Sequence, residues 1–174
     1  MARGGWSQAP DEDAAEMYLT GLSTLDAAGY GQYEISNVCR KGRESRHNLK
    51  YWTDGEWLGF GCGAHSTRGG ARWKNVSATV EYVDRVTAGH TAAVDRRVMA
   101  NDERLGDALF TGLRLNKGVD VARIGERYGL DVWARYGSDL QPFVDARVLA
   151  REGPRLRLTR EGMLVANEVM QVFV

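Results

Sequence analysis

Tyr33-Glu34-Ile35-Ser36-Asn37, then His47-Asn48-Leu49-Lys50-Tyr51-Trp52, then Leu58-Gly59-Phe60-Gly61-Cys62-Gly63-Ala64-His65-Ser66 crowd a strand-like run, a polar pair beside two aromatics, and a glycine-rich turn into a few dozen residues. Core packing alone seldom demands such a density of special residues, so a ligand or chemistry is expected here. Upstream, Pro10 sits where a helix begins, Asp11, Glu12, Asp13 and Glu16 suit its positive end, and Tyr18, Leu22 and Leu25 recur at helical spacing until Gly29. Helix, glycine and a strand at Tyr33–Ser36 give the order of an α/β layer. One strand makes no sheet, so its partners are expected elsewhere.

Downstream of the strand, Asn37 to Asn75 shows no sustained period and is rich in glycine, which predicts a long structured loop region. Its aromatics, Tyr51, Trp52, Trp57, Phe60 and Trp73, argue that the region is ordered. Ser77 is positioned to cap a helix carrying Val80, Val83 and Val86 that Gly89 closes. A polar stretch around Asp95–Arg97 follows. Then come compact helical units: Asn101 or Asp102 capping Leu105, Leu109 and Leu113; Asp120 capping Ile124 and Tyr128 up to Gly129; and a third helix from about Trp133 toward Leu149. Arg151-Glu152-Gly153-Pro154 turns the chain into Arg155–Leu158, and Thr159 caps a last helix with Met163, Leu164, Val169 and Met170. Helix, helix, helix, hairpin, helix is a winged-helix-like order.

The 174 residues suffice for one ordinary domain or two small ones, and 43% hydrophobic residues suffice for a buried core. The chain is expected to be cytoplasmic, since it shows neither a signal-peptide pattern nor an apolar run of membrane-spanning length. Twenty-three basic and 23 acidic residues cancel, and they cancel in each half as well, which argues against a nucleic-acid partner. A reading of Val119–Val132 as a DNA-binding helix-turn-helix fails on the same ground. The one local excess is Arg40, Lys41, Arg43, Arg46 and Lys50 against Glu44 alone, a candidate for meeting an anionic group or a solvated loop face. Two cysteines without a secretory signal are expected to be free thiols.

Among single residues His47 stands out. Its imidazole suits a heme-iron ligand, with Asn48 as a polar handle and Tyr51 and Trp52 as flat aromatic surface; a hydrogen-bonding role is the simpler alternative. Gly59-Phe60-Gly61-Cys62-Gly63-Ala64 has the G-x-G-x-x-A form of a dinucleotide loop, but no helix start follows it. The glycines are better read as letting the backbone pass close to a ligand or a neighbouring strand. Cys39, His47, Cys62 and His65 could be assembled into a zinc site, although only Cys62-x-x-His65 is a close pair. No metal site is assigned.

Together these motifs resemble the C-terminal part of the HemW family, the heme chaperone branch of the oxygen-independent coproporphyrinogen III oxidase relatives among radical SAM proteins. The resemblance is carried by Pro10–Asp13 with Met17-Tyr18, by Tyr33–Asn37, His47–Trp52, Leu58–Ser66 and Arg72–Val76, and by Leu156-x-Leu158-Thr159-x-x-Gly162. It implies an α/β chain holding the last helix and strand of a radical SAM partial (β/α) barrel plus a C-terminal winged-helix-like α+β domain. The organisation implied is barrel end and glycine/aromatic region over 1–76, connecting helix and linker over 77–100, and HemN-type C-terminal domain over 101–174.

Heme binding is implied for His47, Asn48, Tyr51 and Trp52, the family's His-Asn-x-x-Tyr-Trp motif. Arg43 and Arg46 are the expected grips on heme carboxylates. Cys39 matches a position whose backbone lines the S-adenosylmethionine site in related oxidases. The family's cluster motif Cys-x-x-x-Cys-x-x-Cys is absent, Cys39 and Cys62 being 23 positions apart. S-adenosylmethionine and a [4Fe-4S] cluster are therefore expected in the intact protein only, Met1 is read as an internal methionine or an artificial start, and the chain alone is expected to lack enzymatic activity, with no catalytic residue assigned. The intact protein is expected to pass heme to respiratory proteins. A coproporphyrinogen III oxidase of porphyrin biosynthesis and a non-enzymatic winged-helix interaction module are the alternatives. An unpaired strand and a bare helix face predict self-association of the isolated chain.

Overall fold

The structure, a computed structural model, describes residues 9–174 and divides into two compact units between Glu44 and Ser45. In the first unit, α1 (Asp11–Ala27) begins after Pro10 with three acids in its first turn and gives way to β1 (Gly31–Glu34). β1 pairs antiparallel with β2 (Asn37–Cys39), in the register Gly31 to Cys39 and Gln32 to Val38. The expected strand at Tyr33–Ser36 therefore starts two residues earlier, and Ile35 and Ser36 form the turn of a hairpin. The turn is tied from inside by the fully buried Glu34, whose Oε1 accepts from the Ser36 N–H at 3.0 Å and from the Asn37 side-chain amide. Leu22 is buried on α1, and the Tyr18 hydroxyl donates to the Ile35 carbonyl at 2.9 Å. The strand is thus paired along one edge, and part of the helix face thought bare is covered; Met17 and Leu25 remain exposed.

The second unit opens with α2 (Arg46–Trp52), followed by β3 (His65–Arg68), β4 (Ala71–Asn75), α3 (Thr79–Thr87) and β5 (Ala93–Val98). β3, β4 and β5 form one antiparallel sheet in that order, with Ser66 opposite Trp73 and Arg72 opposite Arg97. Three expectations change here. The region read as loop, Asn37 to Asn75, holds a helix and three strands, β2, β3 and β4, because a seven-residue helix and strands of three to five residues are too short to show a period. The polar stretch Asp95–Arg97 is part of a strand; it is an edge strand interrupted by a register shift and by Asp95 in the left-handed region, which is how an edge tolerates such charge. α3 starts after Ala78 without a side-chain cap from Ser77, and it leaves Tyr82 and Arg85 half-buried while Val80, Val83 and Val86 stay exposed.

The rest of this unit follows the predicted helices closely. α4 (Asn101–Gly112) buries Leu105 and Leu109 completely. β6 (Val119–Asp120) leads into α5 (Val121–Tyr128), whose N-cap Asp120 accepts from the Arg123 N–H and whose end is the left-handed Gly129. Asp131 caps α6 (Val132–Asp145) through the N–H groups of Trp133 and Ala134. β7 (Leu149–Glu152) and β8 (Arg155–Leu158) form the hairpin, and β6 adds to β8 to make a second antiparallel sheet. Thr159 Oγ1 accepts from the Gly162 N–H, but the last helix is broken into a 3-10 turn, a five-residue α7 (Ala166–Met170) and a final turn that brings Phe173 edge-on to Tyr136. Leu113, Leu140, Leu149, Leu156, Leu158, Val169 and Met170 close the core between helices and hairpin. Helix, helix, helix, hairpin, helix is present, with β6 inserted after the first helix. Among the described residues no helix is long and apolar enough to cross a membrane.

Candidate functional site

α2 carries the His47–Trp52 motif, and its helical state decides which residues can act together. Ser45 caps it by accepting from the Asn48 N–H at 3.3 Å. Positions i and i+4 then share a face, so His47 and Tyr51 meet. The Tyr51 hydroxyl lies 3.2 Å from His47 Nε2, and the two rings stand edge to face at 5.1 Å. Tyr51 in turn stands edge-on to Trp57 at 4.8 Å. His47 is exposed, while Tyr51 and Trp57 are half-buried. The result is an imidazole at the solvent edge of an aromatic cluster.

Trp52 stands to the side of that face, its ring tilted 59° to that of Tyr51 at 6.3 Å. It is half-buried, its indole N–H is buried with no acceptor among the described residues, and the Arg114 guanidinium lies over its ring at 4.4 Å. Trp52 serves to dock α2 on the end of α4. Asn48, also half-buried, stands one helical turn before Trp52 rather than beside His47. Arg46 is the exposed first residue of α2. Arg43 and Cys39 belong to the first unit, Arg43 exposed with its N–H donating to the Arg40 carbonyl, and Cys39 a half-buried free thiol at the end of β2.

The glycine turn is a structural brace beside this cluster. An added methyl at Gly59 would lie 2.3 Å from the His65 carbonyl oxygen, so the close approach expected of these glycines is to the chain's own strand β3. The Gly59 N–H donates to the buried Ser66 hydroxyl at 3.0 Å. The buried Asn75 amide donates to the Gly61 carbonyl at 2.9 Å and the Gly59 carbonyl at 3.3 Å, and the Gly61 N–H donates to the Tyr82 hydroxyl at 3.0 Å. Trp57 is fixed on the same side by an isolated bridge to Thr67 and by its indole N–H donating to the His65 carbonyl at 3.2 Å. Ala64 runs into strand β3, not a helix, which removes the dinucleotide-loop reading. Cys62 Sγ contacts Thr79 Oγ1 at 3.4 Å, and among the described residues no three His, Cys, Asp or Glu side chains are placed to hold a metal ion.

Sequence reasoning missed Trp57 as the third member of the aromatic face and missed Asp54 altogether. Asp54 Oδ2 accepts from the Tyr128 hydroxyl at 2.6 Å and pairs with Arg127 at 2.8 Å. Burial and that hydrogen bond to Asp54 push the Tyr128 phenol up to about 12. The stretch from Ser45 to Asn75 is further tied to α4 by the Arg72–Asp107 pair at 2.5 Å.

The chain as a whole is similar to known proteins. Residues 99–165 match the HemN C-terminal domain. Over 174 residues, all of this chain and 46% of the relative, it is 34% identical to the heme chaperone HemW of Bacillus subtilis. It is 38% identical to the heme chaperone HemW of Mycobacterium tuberculosis strain H37Rv, over 99% of this chain and 42% of that one. The solved structure of coproporphyrinogen III oxidase (HemN) from Escherichia coli, described as a radical SAM enzyme, shares the fold over 95% of this chain and 42% of its own, with a TM-score of 0.74 at 17% identity. The chain thus spans less than half the length of the curated relatives it matches.

Proposed function

Because the chain is a HemW relative that carries a HemN C-terminal domain, we propose that it binds heme on the face of α2 formed by His47, Tyr51 and Trp57. The carrying observation is the exposed imidazole of His47 at the rim of an aromatic cluster. Iron takes an imidazole nitrogen as an axial ligand, and aromatic edges and faces favour a flat macrocycle. The Tyr51 hydroxyl orients the His47 ring and is the group that a metal at Nε2 would displace. Asn48 and Trp52 support the same site from behind, by fixing α2. Arg46 at the start of α2 supplies a guanidinium for the heme carboxylates, which a histidine ligand alone leaves unmatched, and Arg43, three residues earlier in the sequence, is proposed as a second.

In a protein of the relatives' full length this segment would hand heme to respiratory acceptors in the cytoplasm, residues 101–174 would act as its C-terminal domain, and the backbone at Cys39 would line an S-adenosylmethionine site. A [4Fe-4S] cluster does not fit the residues present, since the usual thiolate set exceeds the two cysteines of this sequence. Heme titration of the whole chain, followed by the Soret band, tests the proposal with His47→Ala beside the wild type. Loss of the ligand-shifted band in the variant is expected. Unchanged affinity and spectrum would remove His47 from the site.

A further inference from the structure

α2 ends in an unusual way. The Gly55 N–H donates to the Lys50 carbonyl at 2.9 Å, and Asp54 adopts φ 55°, which together make the six-to-one closure of a Schellman motif. The left-handed residue of that motif is ordinarily glycine, because a side chain there is strained. Here it is an aspartate, and its carboxylate is spent on two partners from α5, the Tyr128 hydroxyl and the Arg127 guanidinium. Tyr128 is 3% exposed, with the Arg104 guanidinium over its ring at 4.9 Å. Two residues before Asp54, Trp52 lies under Arg114. Asp54 therefore ends the helix and fastens it in the same residue.

We propose that Asp54 and Tyr128 form a latch that positions α2, and that the HemN C-terminal domain thereby sets the orientation of the His47–Tyr51 face. Asp54 and Tyr128 are positioning residues and touch no ligand. The inference rests on the heme reading for its functional half, while its structural half, the holding of α2, stands on the contacts alone. A glycine at position 54 would be less strained yet would leave the Tyr128 hydroxyl without its acceptor, and α2 would then be held by Trp52 and by its own backbone closure. An asparagine keeps the local tolerance of the left-handed region and an acceptor oxygen for Tyr128.

Hydrogen exchange of the α2 amides, measured on the whole chain without heme, tests the latch. Removing a hydrogen bond to a charged group should let the Leu49–Thr53 amides exchange about tenfold faster or more in Tyr128→Phe and in Asp54→Gly. Asp54→Asn should stay close to the wild type, a rescue that generalised loss of packing would not give. Heme titration of the same variants is the second arm: weakened affinity and an altered Soret spectrum are expected for Tyr128→Phe, with recovery in Asp54→Asn. Wild-type exchange in Tyr128→Phe would overturn the latch. Faster exchange with unchanged heme affinity and spectrum would overturn its link to the ligand. If His47→Ala also left heme binding untouched, the heme reading would fall, and the exchange result would still decide the latch. A melting curve for each variant shows that it folds, and Asp54→Gly carries the test should Tyr128→Phe not.

Discussion

Gly59 and Gly61 lie in one turn and separate two costs that an alanine can incur. A methyl on Gly59 would meet the His65 carbonyl oxygen at 2.3 Å and the Ala64 Cβ at 2.9 Å, both parts of the chain that cannot swing aside. Relief requires the turn to move off β3, which strains the Gly59–Ser66 and Asn75–Gly59 hydrogen bonds. Overpacking costs about 1–3 kcal/mol and a weakened buried hydrogen bond about 1 kcal/mol, so Gly59→Ala should lose roughly 2–4 kcal/mol. Gly61 has φ 100° and open space where a methyl would go, so Gly61→Ala bears only the left-handed penalty of about 1–2 kcal/mol. Urea denaturation of both variants, followed by far-ultraviolet circular dichroism, measures the two losses side by side. A loss from Gly61→Ala equal to or greater than that from Gly59→Ala would refute the close-approach account of this turn.

Replacing Arg43 and Arg46 together by Gln should weaken heme affinity and flatten its salt dependence; equal affinity and slope in a salt series would mark the segment as a solvated face. The Tyr128 phenol is held above its ordinary value of 10.0, at about 12, by burial and its bond to Asp54. A raised value in the folded state means that this contribution is intact below pH 10 and is lost as pH climbs from 10 toward 12. Denaturation midpoints across that range should fall more steeply for the wild type than for Tyr128→Phe, and parallel curves would contradict the assignment.

Helices with explicit ends were legible in the sequence. Asp120 and Gly129 bracket α5, and Leu105, Leu109 and Leu113 at four-residue spacing mark the buried stripe of α4 and its end. The sheet β3–β4–β5 was not legible, because its edge strand Ala93–Val98 carries three consecutive charged residues at Asp95–Arg97 and is kinked at Asp95, so no alternation survives. α2 hid for a different reason. Its seven residues make under two turns, and its stability comes from the Ser45 cap, the Trp52–Arg114 contact and the Asp54 closure, none of which has a period. Once α2 is a helix, the His47–Tyr51 pairing follows from four-residue spacing, and so does the turning of Trp52 away from His47. Trp57 and Asp54 could not have been paired with their partners from sequence, since β3 and a residue 74 positions away supply the contacts.

On the proposed reading, heme contacts the exposed His47–Tyr51 face of α2 and not the Trp52 side. Hydrogen exchange of the whole chain with and without saturating heme locates the contact directly. The expected result is protection within Arg43–Trp57, strongest around His47 and Tyr51, with the Leu149–Leu158 hairpin unchanged. Protection centred on the hairpin or on α5, with α2 exchanging as before, would contradict it.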